Sequence, residues 1–433
     1  MDIPINELFE TCIYLTIFYS VDQTGATSCV NSALRLPEKN PKLGRNIMKY
    51  IPPKRKTKVV FVQLGSPEAP TPKALRKYLR EFLGDPRLID WNPFVWKIIL
   101  NCFVLPFRPK KSAKLYERIW DGESFPLITN TIEFTKKVEK ELAKMDKEGH
   151  VEVNHAFLLS PPYVHEVYDS WEEDLRNGVG ATKLMVIPMF PQYSESTVAS
   201  GIDSLAKELS KRVKIPTFEV ITNFHRTHAF IDNSVHILDS KLQELKENGV
   251  KIDTLLLTFH GMQKRRIIEK GDDYYRHCYE TYRLIVDRLK NIKPENTMMT
   301  FQSKFGSEEW ITPYTDEVVE DLIKEGKKEI VVYSPSFVVD CLETTDELGH
   351  ELVEDAKEWG GNVYPVECLN VNQQWCKDFA MYTFTQAEGS AQQKEDLEYQ
   401  LEASDYEQMP ELTMEGKPKS VSREVLHHSF DKS

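Results

Sequence analysis

Runs of apolar residues recur along the chain, and each closes on a polar or glycine-containing segment. Val59-Val60-Phe61-Val62 leads into Gln63-Leu64-Gly65-Ser66-Pro67, and Leu184-Met185-Val186-Ile187-Pro188-Met189-Phe190 leads into Pro191-Gln192-Tyr193-Ser194. Leu255-Leu256-Leu257-Thr258-Phe259 ends in His260-Gly261-Met262, and Ile330-Val331-Val332-Tyr333 ends in Ser334-Pro335-Ser336. Continuous apolar runs of this length read as parallel strands covered on both faces. Helical patterns separate them, at Ala74-Leu75-Arg76-Lys77-Tyr78-Leu79-Arg80-Glu81-Phe82-Leu83 and over 279–289. The alternation predicts an α/β protein of two Rossmann-like lobes, each a small parallel sheet flanked by helices, facing a cleft.

The pattern also sets expected boundaries. Residues 1–55 carry little periodicity and end in Pro52-Pro53-Lys54-Arg55, so they are expected to be an extension, with Met48 an alternative start. Residues 56–205 form the expected first lobe and 206–388 the second, whose last helix could pack on the first. Residues 389–433 are polar and charged, with Gln392-Gln393-Lys394-Glu395-Asp396, and are expected to be a disordered tail.

Composition narrows the function classes. With 433 residues, 41% of them apolar, the chain can bury a large core or two medium ones. A net charge of −12 argues against a general nucleic-acid binder, which needs a concentrated basic surface. The seven cysteines are odd in number and form no C-x-x-C pair, which fits reduced thiols rather than a disulfide framework. The first residues lack a secretory basic stretch, and no apolar run reaches the roughly 20 residues that span a bilayer, so a cytoplasmic location is expected.

Polar residues just past a strand's carboxyl end are the ones that meet ligand in open α/β sheets. His260 holds that position. After the last run, Asp340 and Glu343 stand three apart, and a helix starting near Val339 would put both on one face toward His260. Each has a plainer reading on its own: a hydrogen-bonded histidine, a helix N-cap for Asp340, a first-turn acid or ion pair for Glu343. Dinucleotide, P-loop, zincin and serine-hydrolase signatures are absent, and Pro67 removes an N–H of the kind that cradles pyrophosphate.

Eight segments, taken in order, resemble ferrochelatases. They are Leu64-Gly65-Ser66-Pro67; Tyr78-Leu79-Arg80-Glu81-Phe82-Leu83-Gly84-Asp85-Pro86-Arg87; Pro191-Gln192-Tyr193-Ser194; Phe259-His260-Gly261; Thr300-Phe301-Gln302-Ser303-Lys304-Phe305-Gly306; Glu309-Trp310; Pro313-Tyr314-Thr315-Asp316; and Asp340-Cys341-Leu342-Glu343-Thr344. The resemblance implies a two-lobed enzyme that inserts ferrous iron into a porphyrin held in the cleft. It implies catalytic roles for His260, Glu343 and Asp340, with His260 and Glu343 as metal ligands. It also implies a porphyrin pocket lined by Gln63, Tyr193, Ser194, Met262, Tyr274, Gln302, Ser303 and Trp310. The chemistry suits those residue types: two pyrrole protons must leave, an imidazole can take one or hold the metal, and carboxylates can bind Fe²⁺ or lead protons away.

The stretch 94–107 is apolar and then basic at Arg108, Lys110 and Lys111, which fits either a packed helix with a solvated end or an exposed lip. In ferrochelatases it is a lip at the pocket mouth, which implies peripheral membrane contact there, with the basic residues near porphyrin propionates or lipid headgroups. Partners are thus expected to be porphyrin and ferrous iron. Iron is a substrate, and no tightly bound cofactor is expected; the chain beyond Cys376 has no cysteine, so no iron–sulfur cluster is expected either. Departures from the family pattern include Phe157-Leu158-Leu159 where a methionine-arginine-tyrosine triplet is usual, Asp273 in place of a proline, and Met262-Gln263 in place of leucine-proline. Protoporphyrin IX is the expected substrate, with coproporphyrin III chelation and non-catalytic porphyrin or haem binding as the alternatives.

Overall fold

A computed structural model describes residues 56–177 and 180–413. The expected extension at 1–55 falls wholly outside them, as does the end of the expected tail. In chain order the elements are β1 (Thr57–Gln63), α1 (Pro72–Phe82), α2 (Pro93–Ile99), a π-turn (Leu100–Val104), α3 (Leu105–Arg118), α4 (Pro126–Met145), β2 (Val151–Phe157), α5 (Val164–Arg176) and β3 (Lys183–Pro188). A second π-turn (Glu195–Ala199), α6 (Ser200–Leu209), β4 (Thr217–Val220), α7 (His228–Glu247), β5 (Thr254–His260), α8 (Lys264–Ile268), α9 (Tyr274–Val286) and β6 (Thr297–Gln302) follow. The chain continues with α10 (Thr315–Lys324), β7 (Glu329–Tyr333), a π-helix (Glu343–Glu351), α11 (Leu352–Trp359), β8 (Asn362–Val366), α12 (Gln373–Glu388) and α13 (Ala391–Glu395).

Two four-stranded sheets form, ordered β2-β1-β3-β4 and β6-β5-β7-β8, and every pairing is parallel. Alternating residues of each strand feed opposite layers, as the two-residue strand period requires. Val59 and Phe61 point into a core shared by both sheets, while Val60 and Val62 pack with Tyr168, Trp171 and Leu205 on the other face. In the second sheet Leu255 and Leu257 join the shared core, and Leu256 packs with Val319 and Leu322. Burying each such side chain contributes roughly 1.5–3 kcal/mol.

Local signals explain the helices. Thr71 caps α1 by accepting from the Ala74 N–H at 3.3 Å, and Pro72 fills the first turn where no donor is needed. Between α2 and α3 the helix widens to a π-turn just before Pro106 and Pro109, whose missing N–H groups cannot bond back four residues.

Three expectations are corrected. Strand β4 pairs with β3, so the first sheet extends to Val220 and the division at 205/206 falls too early. The sequence after Val339 does not form an α-helix; a π-helix begins at Glu343 and leaves Asp340 in the loop before it. Residues 391–413 pack on the body instead of forming a disordered tail: Leu397, Tyr399, Leu401, Met409 and Leu412 lie against the shared core. Arg226 bonds Glu398 at 2.9 Å, and the Arg288 guanidinium covers the Tyr399 ring at 3.7 Å. Helix α12 stacks Trp375 on Phe134 at 5.6 Å and brings Phe379 to 5.6 Å from Phe61.

Candidate functional site

The chain just past β3 meets the chain just past β7, where Gln192 Nε2 donates to the Pro335 carbonyl at 3.2 Å. His260 is the last residue of β5 and the first in that strand to emerge from full burial. Its N–H donates to Ser336 Oγ at 3.0 Å and its C=O accepts from the Tyr274 hydroxyl at 2.9 Å, so the backbone beneath the ring is fixed from two sides. Nδ1 lies 2.7 Å from the Gly261 carbonyl, which assigns the ring proton to Nδ1 and leaves a lone pair on Nε2. Gly261 is required by close approach: a Cβ would sit 2.8 Å from the Gln302 carbonyl and 2.9 Å from the Trp310 ring.

Gln302 links the histidine to the carboxylate helix. It stands opposite His260 in the β5–β6 register, and its Nε2 donates to the Glu343 carbonyl at 3.4 Å. Its Oε1 is buried without a partner. Glu343 opens the π-helix facing α1 and α3, where burial, with the Glu343 charge adding to it, pushes the Tyr78 and Tyr116 hydroxyls up. The Cys341 thiol is pushed up by burial and by the Glu343 carboxylate beside it.

Asp340 is hydrogen-bonded to three neighbours. Its carboxylate accepts from Thr344 Oγ1 at 2.9 Å, the Cys368 N–H at 3.3 Å and Asn370 Nδ2 at 2.5 Å. Asn370, held at φ 45°, also accepts from the Asp340 N–H at 2.9 Å and from Asn130 at 3.1 Å, joining both lobes.

Glu347 was not singled out from the sequence, although its spacing of four from Glu343 was the available signal. Both of its carboxylate oxygens face Ser303, whose N–H and hydroxyl donate at 2.8 and 2.6 Å. Burial raises the Glu347 carboxyl to about 7, with Glu343's charge adding to it and the Ser303 bonds opposing it. Ser303 reaches both oxygens from a left-handed backbone, φ 62°, that few side chains tolerate.

The remaining expected pocket residues divide. Gln63 folds onto its own chain, its Oε1 accepting from the Leu64 N–H at 3.0 Å. Tyr193 donates its N–H to His277 Nδ1 at 3.2 Å, and burial, with Asp272 nearby, raises its hydroxyl. Ser194 is buried, its hydroxyl 2.7 Å from Thr197 Oγ1. Met262 is buried and holds Ile311 through its carbonyl at 2.9 Å. Trp310 is only 5% exposed, lies against Gly261 and leaves its Nε1 without a partner. Where an arginine and tyrosine are usual, Leu158 and Leu159 instead line a cavity of about 340 Å³ with Leu64, Phe82, Asp85 and Leu88.

A fully buried Arg266 joins the lobes, donating to the carbonyls of Arg87 and Leu88 at 2.6 and 2.7 Å and to Glu195 at 2.8 Å. Sequence reading missed it because nothing in the run Lys264-Arg265-Arg266 marks which cation is inside. In the stretch 94–107, Phe94, Phe103 and Phe107 are 74%, 65% and 73% exposed. Arg108 stacks over Phe305 at 4.5 Å, has no carboxylate partner among the described residues, and is pulled down by burial. No helix among the described residues is long and apolar enough to cross a membrane.

Among the described residues no group of three or more His, Cys, Asp or Glu side chains is arranged to hold a metal ion; what the site offers is the His260 Nε2 lone pair, and Glu347, whose carboxyl is raised to about 7, able to hold a proton near neutrality. A family profile named Ferrochelatase matches residues 56–386. A ferrochelatase of Idiomarina loihiensis is 38% identical over 313 residues, covering 72% of this chain and 83% of that relative. One from Dechloromonas aromatica is 37% identical over 327 residues, covering 75% and 86%. A coproporphyrin III ferrochelatase of Streptococcus mutans is 39% identical over 311 residues, covering 72% and 92%. With most of its described length matched, the chain belongs to the ferrochelatase family, whose members are metal chelatases.

Proposed function

We propose that this chain inserts Fe²⁺ into protoporphyrin IX, the last step in making protohaem. The observation that carries the reading is the His260 ring, fixed from Gly261, Ser336 and Tyr274 with its Nε2 lone pair free of the Gly261 bond, one hydrogen-bonded residue away from Glu343. The porphyrin enters with two pyrrole N–H groups and leaves with none. One proton passes to His260 Nε2; the other leaves by Glu343 and Glu347, whose carboxyl near 7 can both take and release it. The iron stays divalent: as it passes from His260 and Glu343 to the four ring nitrogens it vacates the single Nε2 lone pair, which then takes the pyrrole proton. Asp340 acts by holding the loop from which Glu343 projects.

The substrate's edge is read by charge. Leu158 and Leu159 line a cavity that also carries the carboxylates of Glu81, Asp85 and Asp203 against a single lysine, Lys207, which disfavours added anionic substituents, and Arg108 is a cation that no carboxylate of the described chain neutralises. That suits two propionates and apolar substituents better than four propionates. Coproporphyrin III is the second reading, supported by the similarity to the Streptococcus mutans enzyme of that name. The exposed Phe94, Phe103 and Phe107, with Lys110 and Lys111 following, support peripheral contact with an anionic membrane surface.

The test is anaerobic incubation with Fe²⁺ and each porphyrin in turn, following loss of free-base fluorescence. Faster turnover of protoporphyrin IX supports the reading. Preference for coproporphyrin III overturns the substrate assignment, and binding without metallation overturns the catalytic one.

A further inference from the structure

Helix α9 holds the site from behind. Its first residue, Tyr274, bonds the His260 carbonyl; one turn on, His277 accepts the Tyr193 N–H at 3.2 Å; a turn further, Thr281 accepts from Gln192 at 3.0 Å. The segment 391–413 grips the same helix. Tyr406 donates to Glu280 Oε1 at 2.7 Å, Tyr279 donates to the Asp405 carbonyl at 3.3 Å, and Arg283 lies 3.5 Å from the Asp405 carboxylate. Tyr406 lies beyond residue 386, where the family match ends.

These two sets of contacts touch. Glu280 is 1% exposed at its side chain; its Oε2 is 2.5 Å from His225 Nε2, and its Oε1 also receives Arg276 at 2.8 Å. The His225 ring stacks on His277 with centroids 4.0 Å apart and planes 21° apart. A chain of contacts therefore runs from Tyr406 through Glu280 and His225 to the ring that holds Tyr193.

We infer that His277 is a positioning residue for the Tyr193-Ser194 loop, and that the segment 391–413 clamps it there through Tyr406 and Glu280. The bond from Tyr193 requires an unprotonated Nδ1. Burial, with His225 and Arg276 beside it, pushes His277 down, so the ring is neutral with its one lone pair at Nδ1 and its proton on Nε2, 3.3 Å from Arg276 Nη2, whose guanidinium is held by Glu280 and Asp273. The alternative, an ordinary buried stacking pair, needs no acceptor at Nδ1 and no hydroxyl at residue 406.

The pocket role of Tyr193 rests on the function proposed above, but the positioning itself can be read without porphyrin. Amide hydrogen exchange of residues 191–195 in the full chain is measured for wild type, His277→Leu, His277→Asn and Tyr406→Phe. Losing one buried hydrogen bond should speed exchange of the Tyr193 amide about tenfold in His277→Leu. His277→Asn, whose Oδ1 can stand where Nδ1 stood, should restore slow exchange to within about twofold. Tyr406→Phe should speed it about threefold, since only the distal contact goes. With protoporphyrin IX as substrate, His277→Leu should raise KM and leave kcat nearly unaltered, because the reacting groups are untouched.

Unaltered exchange in His277→Leu, or equal acceleration in His277→Leu and His277→Asn, overturns the positioning role. Unaltered exchange in Tyr406→Phe overturns the clamp. A wild-type protein that fails to metallate porphyrin contradicts the proposed function, and the exchange rates still decide this inference.

Discussion

Ser303 donates its backbone N–H to one carboxylate oxygen of Glu347 and its hydroxyl to the other, at 2.8 and 2.6 Å. Two donors on a buried carboxylate lower its pKa, yet Glu347 stands at about 7, so burial and the charge of Glu343 outweigh them. A pKa raised from 4.5 means the folded state binds its proton more tightly than the unfolded state. The resulting stability is full below about pH 4.5 and is lost as pH rises through about 7.

Wild-type protein should therefore lose thermal stability between about pH 5 and pH 8, by no more than about 3 kcal/mol from this group. Glu347→Gln should flatten that slope. The same variant should remove the rise of kcat with an apparent pKa near 7, since glutamine cannot accept a proton. Melting curves and pH–rate profiles of the two proteins check both expectations.

Asp340 ties the loop before the π-helix to Thr344, Cys368 and Asn370. Asp340→Ala should cost about 2–4 kcal/mol by stranding these donors, with Asp340→Asn costing less. Urea unfolding measures the difference. Metallation in Asp340→Asn should fall less than in Glu343→Ala.

Much of this was legible in the sequence, and the exceptions have physical causes. The β1 and β5 runs are unbroken because both faces are covered, and so His260 could be placed at a strand end from pattern alone. Strand β4 is a short edge with Phe218 half exposed, and it gave no such signal. The segment 391–413 looked disordered because its apolar residues are spaced singly among charges; they bury only because α7 and α9 lie beneath them. Glu343 and Asp340 were both visible, but the hydrogen bonds of Asp340 to Asn370 and Cys368 were not, because those partners are remote in sequence. Nothing local marks His277 or Arg266, whose partners lie on the other lobe.

Gly261 has no room for a side chain between the Gln302 carbonyl and the Trp310 ring. Gly261→Ala should destabilise the fold by about 1–3 kcal/mol and shift tryptophan emission, because backbone and a buried indole must both move. Metallation should fall as well, since His260 is the preceding residue.

Arg108 is the partly buried cation above Phe305, without a carboxylate partner among the described residues. Arg108→Ala should raise KM for protoporphyrin IX about tenfold with little effect on kcat, the pattern of a lost charge-assisted bond made equally in ground and transition states. Arg108→Lys should recover part of the loss.

The central claim is that His260 Nε2 and Glu343 together take the metal and the protons of a bound porphyrin. The most direct measurement is single-turnover Fe²⁺ insertion into protoporphyrin IX by wild type, His260→Ala and Glu343→Ala, with porphyrin affinity measured in parallel. Each variant should bind porphyrin within about threefold of wild type yet metallate it at least about a hundredfold more slowly. Metallation at wild-type rates in either variant would contradict the account.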